Sequence, residues 1–244
     1  MTKKAVSFLG SPHGMNGTTA LILKPFLEGL KDAGCEVTSF DLSELKINPC
    51  RGDLSCWLKT DGDCIQNDDM MIVLDATKNA DIFVLATPLY VDGMTGILKN
   101  LLDRMIPLVL PFVEYDENRM CHPWRTEKRH TLMALVSTCG FWKLSNFDPL
   151  IQHVKAISMN FNSEFVGSLL RPHAPAMFEM QRIGVGIDDI LLAAKQAGKE
   201  LAQSGKISQL HLETISRPLV EREVYVDRLN EYFGYTLEKK GKTN

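Results

Sequence analysis

Short apolar stretches alternate with helix-patterned segments along most of this 244-residue chain. Residues 4–9 and 81–86 are apolar runs that end at Gly-Ser-Pro and at Thr-Pro, and each is followed by a loop and then by helical spacing. Such alternation predicts parallel strands joined by right-handed crossovers. We therefore expect an α/β fold, a doubly wound five-stranded parallel sheet with helices on both faces.

Five strands and six helices follow from this pattern. The predicted strands are 4–9, 35–42, 81–86, 131–136 and 164–170, and the predicted helices are 18–33, 67–79, 94–104, 148–159, 188–204 and 219–232. We expect Asn67 or Asp68 to cap the second helix and Pro25 to kink the first. The predicted main domain is 1–205, with a cysteine-containing loop insertion at 47–66, and 206–244 is a C-terminal extension.

Charge and hydropathy exclude several classes of protein. The formal net charge is -3 and the isoelectric point about 6.1, which argues against a general nucleic-acid binder. The longest apolar run, 105–113, contains Pro107 and Pro111 and is too short to insert in a membrane. The start shows no signal-peptide pattern, so we expect a cytoplasmic protein.

Ligands of open parallel sheets bind at the carboxyl ends of the strands, so the loop after the first strand is the first to consider. Residues 10–19 (GSPHGMNGTT) are rich in glycine and open directly into a helix. Such a loop would bind a phosphate group through its backbone N–H groups, the helix N-terminus and the hydroxyls of Ser11, Thr18 and Thr19. The loop is neither a Walker A motif nor a dinucleotide fingerprint. A glycine-rich turn with a threonine cap is an equally weighted alternative.

Two further loops follow the third and fourth strands of the predicted sheet. Residues 87–94 (TPLYVDGM) offer apolar surface and backbone amides suited to a flat ring, and residues 137–142 (STCGFW) combine small polar with aromatic side chains. Taken singly, each loop is explained as well or better by packing against the core. Their common place in one fold favours a shared ligand site.

Several motifs together carry a resemblance to a known family. They are Gly-Ser-Pro-x5-Thr-Thr at 10–19, Asp68-Asp-Met70, Thr-Pro-Leu-Tyr at 87–90, Leu98-Lys and Asp103-Arg104. With these motifs the sequence resembles the NADPH-dependent FMN reductase family of the flavodoxin-like superfamily. Within that family it is similar to the iron–sulfur flavoproteins and their cluster-free relatives, over roughly residues 4–170.

The resemblance implies FMN as cofactor, NAD(P)H as electron donor, and a set of cofactor-binding residues. The phosphate site would consist of Ser11, His13, Asn16, Gly17, Thr18 and Thr19. The flavin ring would lie against Pro88, Leu89, Tyr90, Val91, Gly93 and Met94. The other side of the ring would be closed by Ser137, Thr138, Cys139 and Gly140. The resemblance also implies a homodimer or homotetramer. The 105–113 run and the tail are candidates for the contact.

The cysteine run departs from the iron–sulfur members, which carry four compact cysteines. Here the run is Cys50-x2-Asp53-x2-Cys56-x7-Cys64, with Asp at the second ligand position. Thiolates are the preferred cluster ligands, so we favour three reduced thiols and predict no metal site. A cluster with one Asp ligand, a three-iron cluster or a zinc site at these cysteines is the alternative.

The predicted function is an FMN-dependent oxidoreductase. It would transfer a hydride from NAD(P)H to bound FMN and pass electrons to an acceptor such as a quinone, a flavin or a redox protein. The cofactor carries the chemistry, so no catalytic acid or base is required of the protein. Tyr90 and Trp142 are candidates to line the substrate side of the ring. The alternatives are a flavodoxin-like electron carrier without its own substrate, and a nucleotide-binding module, which the missing Walker lysine disfavours.

Overall fold

The computed structural model describes residues 2–115, 120–126 and 130–241. Five parallel strands form the central sheet: β1 (Lys4–Leu9), β2 (Glu36–Asp41), β3 (Ile82–Pro88), β6 (Thr131–Thr138) and β7 (Ser163–Arg171). A small antiparallel hairpin pairs β4 (Glu114–Tyr115) with β5 (Met120–Cys121). The spatial order of the large sheet is β2-β1-β3-β6-β7. The parallel pairing confirms the predicted fold class.

Nine α-helices lie in the part of the chain that the structure describes. They are α1 (Thr18–Asp32), α2 (Ser55–Leu58), α3 (Met70–Lys78), α4 (Gly96–Asp103), α5 (Asp148–Asn160), α6 (Pro175–Arg182), α7 (Asp188–Ser204), α8 (Gln209–Ser216) and α9 (Arg222–Gly241). The short helices α2, α6 and α8 were not predicted from the sequence. Helix α3 begins at Met70 rather than 67, and α9 continues to Gly241 rather than 232.

The sheet has a separate apolar core on each face. Along β3, the side chains of Ile82 and Val84 pack with α1 and α7, whereas those of Phe83 and Leu85 pack with α3, α4 and α5. Alternate residues of a strand point to opposite faces. Because both faces are covered, the central strands are continuously apolar, which is the pattern that made them recognisable.

Helices α1 and α7 cross in close contact through two glycines. A Cβ added at Gly29 would lie 1.9 Å from the carbonyl oxygen of Lys195, and one at Gly198 would lie 2.1 Å from that of Phe26. The two backbones therefore touch directly. Around this crossing, α1 runs through Pro25 as one helix.

The segment after Gly205 begins by packing on the main domain. Ile215 of α8 is fully buried, and its carbonyl accepts a 2.7 Å hydrogen bond from Arg171 Nη1. Helix α9 is anchored by the buried Tyr225, while its side chains beyond Leu229 are almost all exposed. The division into a main domain and a C-terminal extension at 205/206 stays a prediction. The outer ends of these two regions, Met1 and 242–244, lie outside the described residues. No helix of the described ranges is long and apolar enough to cross a membrane.

Candidate flavin-binding site

Three loops meet at the carboxyl edge of the sheet, where β1 and β3 mark the point at which the chain reverses its direction of winding. The loop after β1 is fastened to the loop after β3. The amide of Gly10 donates to the carbonyl of Ala86 at 2.7 Å, and Thr95 Oγ1 donates to the carbonyl of Gly10 at 2.6 Å. Thr95 also caps α4 by accepting from Leu98 N. The first two loops therefore form one rigid rim.

Thr138, the last residue of β6, ties the third loop to the other two. Its Oγ1 lies 2.8 Å from Thr19 Oγ1 and 3.2 Å from Thr18 Oγ1, and its carbonyl accepts from Leu89 N at 2.8 Å. Ser137 Oγ donates to the carbonyl of Thr87 at 2.8 Å. The structure thus brings together the three loops that the sequence singled out.

The first loop has the features that a phosphate group requires. The amides of Thr18 and Thr19 are in the first turn of α1, where no helical acceptor exists and the helix dipole is positive. A Cβ added at Gly17 would lie only 2.8 Å from Oγ of the buried Ser11. Because glycine has no Cβ, the loop backbone beside that hydroxyl is not covered by a side chain of residue 17. His13 and Asn16, also predicted for the phosphate site, are exposed.

The second loop is a strained two-residue turn. Tyr90 and Gly93 exchange two backbone hydrogen bonds of 2.9 and 3.0 Å, and Val91 and Asp92 between them have φ values of 46° and 60°. A β-branched residue rarely adopts positive φ, and strain of this kind concentrates at functional sites. Val91 is wholly exposed and Tyr90 is half-exposed, so the turn presents apolar surface at the rim. Pro88, Leu89 and Gly93 are half-buried, and Met94 is buried.

The third loop offers its backbone rather than its side chains. Cys139 is buried, its thiol donates to the carbonyl of Phe141 at 3.3 Å, and burial raises its pKa, so it remains a thiol at neutral pH. Gly140 and Phe141 are exposed. Trp142, which we expected to line the substrate side of a ring, instead stacks on His173 and donates from Nε1 to the carbonyl of Val220 at 3.3 Å.

Some residues near this edge were not found from the sequence. Thr95, His173 and Tyr225 are all buried and hold the three loops in place. None belongs to a local motif, and Tyr225 is 85 residues from its partner Gly140. Only the folded chain brings them to the site.

The Asp68 and Arg104 motifs also meet, in a set of contacts that includes none of the three loops. Their side chains form a buried ion pair with distances of 2.8 and 3.0 Å, and Arg104 Nη1 donates to the carbonyl of Asn48 at 2.6 Å. Arg104 Nη2 lies 3.4 Å from Cys64 Sγ. This pair therefore anchors both ends of the cysteine loop to the body of the protein.

The cysteine loop surrounds a cavity of about 30 Å³ lined in part by Cys50, Asp53, Cys56 and Cys64. Asp53 accepts from the amide of Ser55 at 2.8 Å and so acts as a local turn residue. Across residues 2–115, 120–126 and 130–241, no three His, Cys, Asp or Glu side chains are grouped to hold a metal ion. That the three thiols hold no metal or cluster stays a prediction.

Comparisons with known proteins agree with the geometry. The sequence model of the NADPH-dependent FMN reductase family matches residues 4–140, more than half of the chain. An iron–sulfur flavoprotein of Archaeoglobus fulgidus is 38% identical over 104 residues, which is 43% of this chain and 46% of that protein. One of Methanosarcina thermophila is 31% identical over 107 residues, 43% of this chain and 53% of that protein. The matched segments thus span about half the length of these relatives.

Solved structures show the same fold at low sequence identity. An FMN-dependent NADH-azoreductase from Bacillus anthracis superposes with a TM-score of 0.58 at 16% identity, covering 83% of this chain and 98% of that one. An NAD(P)H:quinone oxidoreductase from Methanothermobacter marburgensis gives 0.57 at 14% identity, covering 82% and 98%. These likenesses confirm the flavodoxin-like fold. The family match confirms the predicted cofactors, FMN with NAD(P)H as donor, and this chain belongs to the NADPH-dependent FMN reductase family.

Proposed function

We propose that this protein is an FMN-dependent oxidoreductase that takes a hydride from NAD(P)H and passes electrons to a quinone, a flavin or a redox protein. The observation that carries the proposal is the convergence of the three loops through Thr138, whose hydroxyl bridges to Thr18 and Thr19 while its carbonyl holds Leu89. When bound, FMN supplies the two-electron chemistry. The protein supplies position, shape and electrostatics.

In this proposal each loop has a distinct task. The first loop binds the phosphate with the amides of Thr18 and Thr19 and the hydroxyl of Ser11, helped by His13, Asn16 and Gly17. The strained Tyr90–Gly93 turn, with Pro88, Leu89, Val91 and Met94, orients the ring and excludes water from one side. Residues Ser137, Thr138, Cys139 and Gly140 form the opposite wall. No side chain of the site is required to transfer a proton.

We also propose a homodimer or homotetramer in the cytoplasm. Two exposed apolar surfaces support an assembly: the outer part of α9, and the hairpin region with Phe112, Val113, Tyr115 and Met120, beside a cavity of about 370 Å³. Apolar surface of this kind marks protein contacts. All six cysteines are free, which suits a reducing compartment.

The visible spectrum of the purified protein, recorded anaerobically with and without added FMN, tests the cofactor. We expect a bound-flavin spectrum that bleaches when NADPH or NADH is added and returns when a quinone is supplied. A protein that never binds FMN would refute the proposal. Flavin that is bleached by dithionite but by neither nicotinamide would refute the reductase and leave the electron carrier.

A further inference from the structure

The third loop of the flavin edge is held from behind by residues outside it. Three consecutive carbonyls of the loop each accept a hydrogen bond from a donor farther along the chain. The pairs are Ala174 N to Cys139 O at 2.9 Å, Tyr225 Oη to Gly140 O at 2.6 Å, and His173 N to Phe141 O at 2.7 Å. All three peptide planes are therefore fixed in orientation.

These bonds decide where the next three amides point. In a trans peptide, the carbonyl of one residue and the N–H of the following residue point in opposite directions. The amides of Gly140, Phe141 and Trp142 consequently face away from the residues behind the loop. Within the described ranges the amides of Gly140 and Trp142 donate to no protein acceptor, and the amide of Phe141 approaches only the thiol of Cys139, whose pKa it lowers. A Cβ added at Gly140 would meet nothing within 4 Å. The loop thus has two amides without a protein acceptor and, between them, a third that faces only a thiol, which is a weak acceptor.

His173 is the centre of the support behind the loop. Its ring stacks on Trp142 at 5.8 Å and meets Tyr225 edge-on at 5.6 Å, and its Nε2 accepts from Arg171 Nη2 at 2.9 Å and from Leu219 N at 3.0 Å. An Nε2 that accepts two hydrogen bonds carries no proton, so the ring is neutral. Burial and the charge of Arg171 lower the pKa of His173 to about 4, in keeping with that state.

Arg171 adds a positive charge on the carbonyl side of the loop. It is fully buried, and its guanidinium bonds to the carbonyls of Pro172 and Ile215 and to His173. Burial lowers its pKa to about 10, so it stays protonated at neutral pH. A buried cation there favours carbonyl oxygens pointing toward it and amides pointing away. The electrostatics and the hydrogen bonds impose the same orientation.

We infer that Tyr225 and His173 are positioning residues that aim the amides of Gly140, Phe141 and Trp142 at the flavin edge, which makes the C-terminal segment part of the redox site. An array of oriented amides stabilises negative charge, and a flavin gains negative charge when it is reduced. The segment therefore favours reduced over oxidised FMN. This inference rests on the proposed FMN binding.

Tyr225→Phe in the full-length holoprotein tests the inference, because it removes only the hydroxyl that holds Gly140. We expect affinity for reduced FMN to fall about tenfold relative to oxidised FMN, which lowers the two-electron midpoint potential by about 30 mV. Tyr232→Phe and Tyr235→Phe, on the exposed part of the same helix, are matched controls and should leave the potential unchanged. Affinity for oxidised FMN should stay within twofold of wild type.

His173→Asn is a second variant. We expect it to fold, because Asn tolerates the positive φ of 41° at this position. It should lower the potential in the same direction. A wild-type potential in both variants, in a protein that binds FMN, would overturn the inference and leave the proposed function standing. Equal losses of affinity for oxidised and reduced FMN would also overturn it, since they indicate a purely structural role. Failure of the wild type to bind FMN would refute the proposed function, and the inference with it.

Discussion

At the scale of single residues, the carboxylate of Asp68 links several segments of the chain. Its carboxylate accepts from Arg104, from the backbone and side chain of Asn48, and from the amide of Met70, all between 2.8 and 3.2 Å. Burial alone would raise its pKa, but the Arg104 guanidinium and the amides outweigh burial and hold the pKa at about 2. A depressed folded-state pKa contributes stability above the unfolded value of about 4, and this stability is lost as pH falls toward 2.

Replacing Asp68 with Asn should therefore be severe. The change leaves the buried Arg104 charge without its partner, which we expect to cost about 3 to 5 kcal/mol of unfolding free energy. Asp103→Asn breaks the exposed Lys99–Asp103 pair and should cost less than about 1 kcal/mol. Urea denaturation at pH 7 measures both. A loss in D68N no larger than in D103N would contradict the role given to the buried pair.

Thr18 offers a test of the phosphate site that leaves the helix intact. Asp is favourable in the first turn of a helix, but in Thr18→Asp its charge would face the FMN phosphate. We expect FMN affinity to fall about 30-fold or more, equivalent to about 2 kcal/mol. Riboflavin lacks the phosphate and should bind within twofold of wild type. The neutral Thr18→Asn is the matched control, and equal losses for FMN and riboflavin would refute the phosphate site at this helix.

Elements differ in how well the sequence predicted them. Strand β1 was expected at Lys4–Leu9 and lies there, because a strand buried on both faces needs an unbroken apolar run. Helix α8 was missed, since in its eight residues Ile215 is the one fully buried side chain and tertiary packing rather than periodicity stabilises it. For the same reason the sequence could not predict the pairings of Asp68 with Arg104 and of Tyr225 with Gly140. They join residues 36 and 85 positions apart.

The crossing of α1 and α7 leads to a prediction at the scale of elements. Alanine is favoured over glycine in a helix by about 1 kcal/mol. At Gly29 and Gly198, however, the new Cβ would lie 1.9 and 2.1 Å from backbone carbonyl oxygens, which cannot move aside as a side chain can. We expect the steric cost to win, with Gly29→Ala and Gly198→Ala each losing about 2 kcal/mol or more.

The matched control for these variants is Gly234→Ala, in the interior of α9, where an added Cβ meets nothing within 4 Å. It should leave the unfolding midpoint unchanged or slightly raised, and increase helical content slightly. Thermal unfolding followed by circular dichroism measures all three variants. Stability equal to wild type in G29A and G198A would mean that α1 and α7 do not touch as closely as the structure shows.

At the scale of the whole molecule, helix α9 has an apolar side that the rest of the monomer leaves uncovered. Val226, Phe233 and Leu237 are exposed and Leu229 is only half-buried, and their spacing of three or four residues places them along one side of the helix. A lone helix with an uncovered apolar stripe is marginal in water. A second copy of the chain would supply the missing contact and extend the support of the flavin edge that begins at Tyr225.

Deleting residues 230–244 removes the outer half of that stripe, Phe233 and Leu237, while leaving Tyr225, α8 and the core in place. We expect the shortened protein to sediment as a monomer at concentrations where the full chain is a dimer or tetramer, because little other than exposed surface is lost from each subunit. The midpoint potential of its bound FMN should remain, since the Tyr225 contact is kept. An unchanged oligomer would exclude α9 as the contact and favour the apolar region around Phe112 and Tyr115. A full chain that is itself monomeric would overturn the proposed assembly.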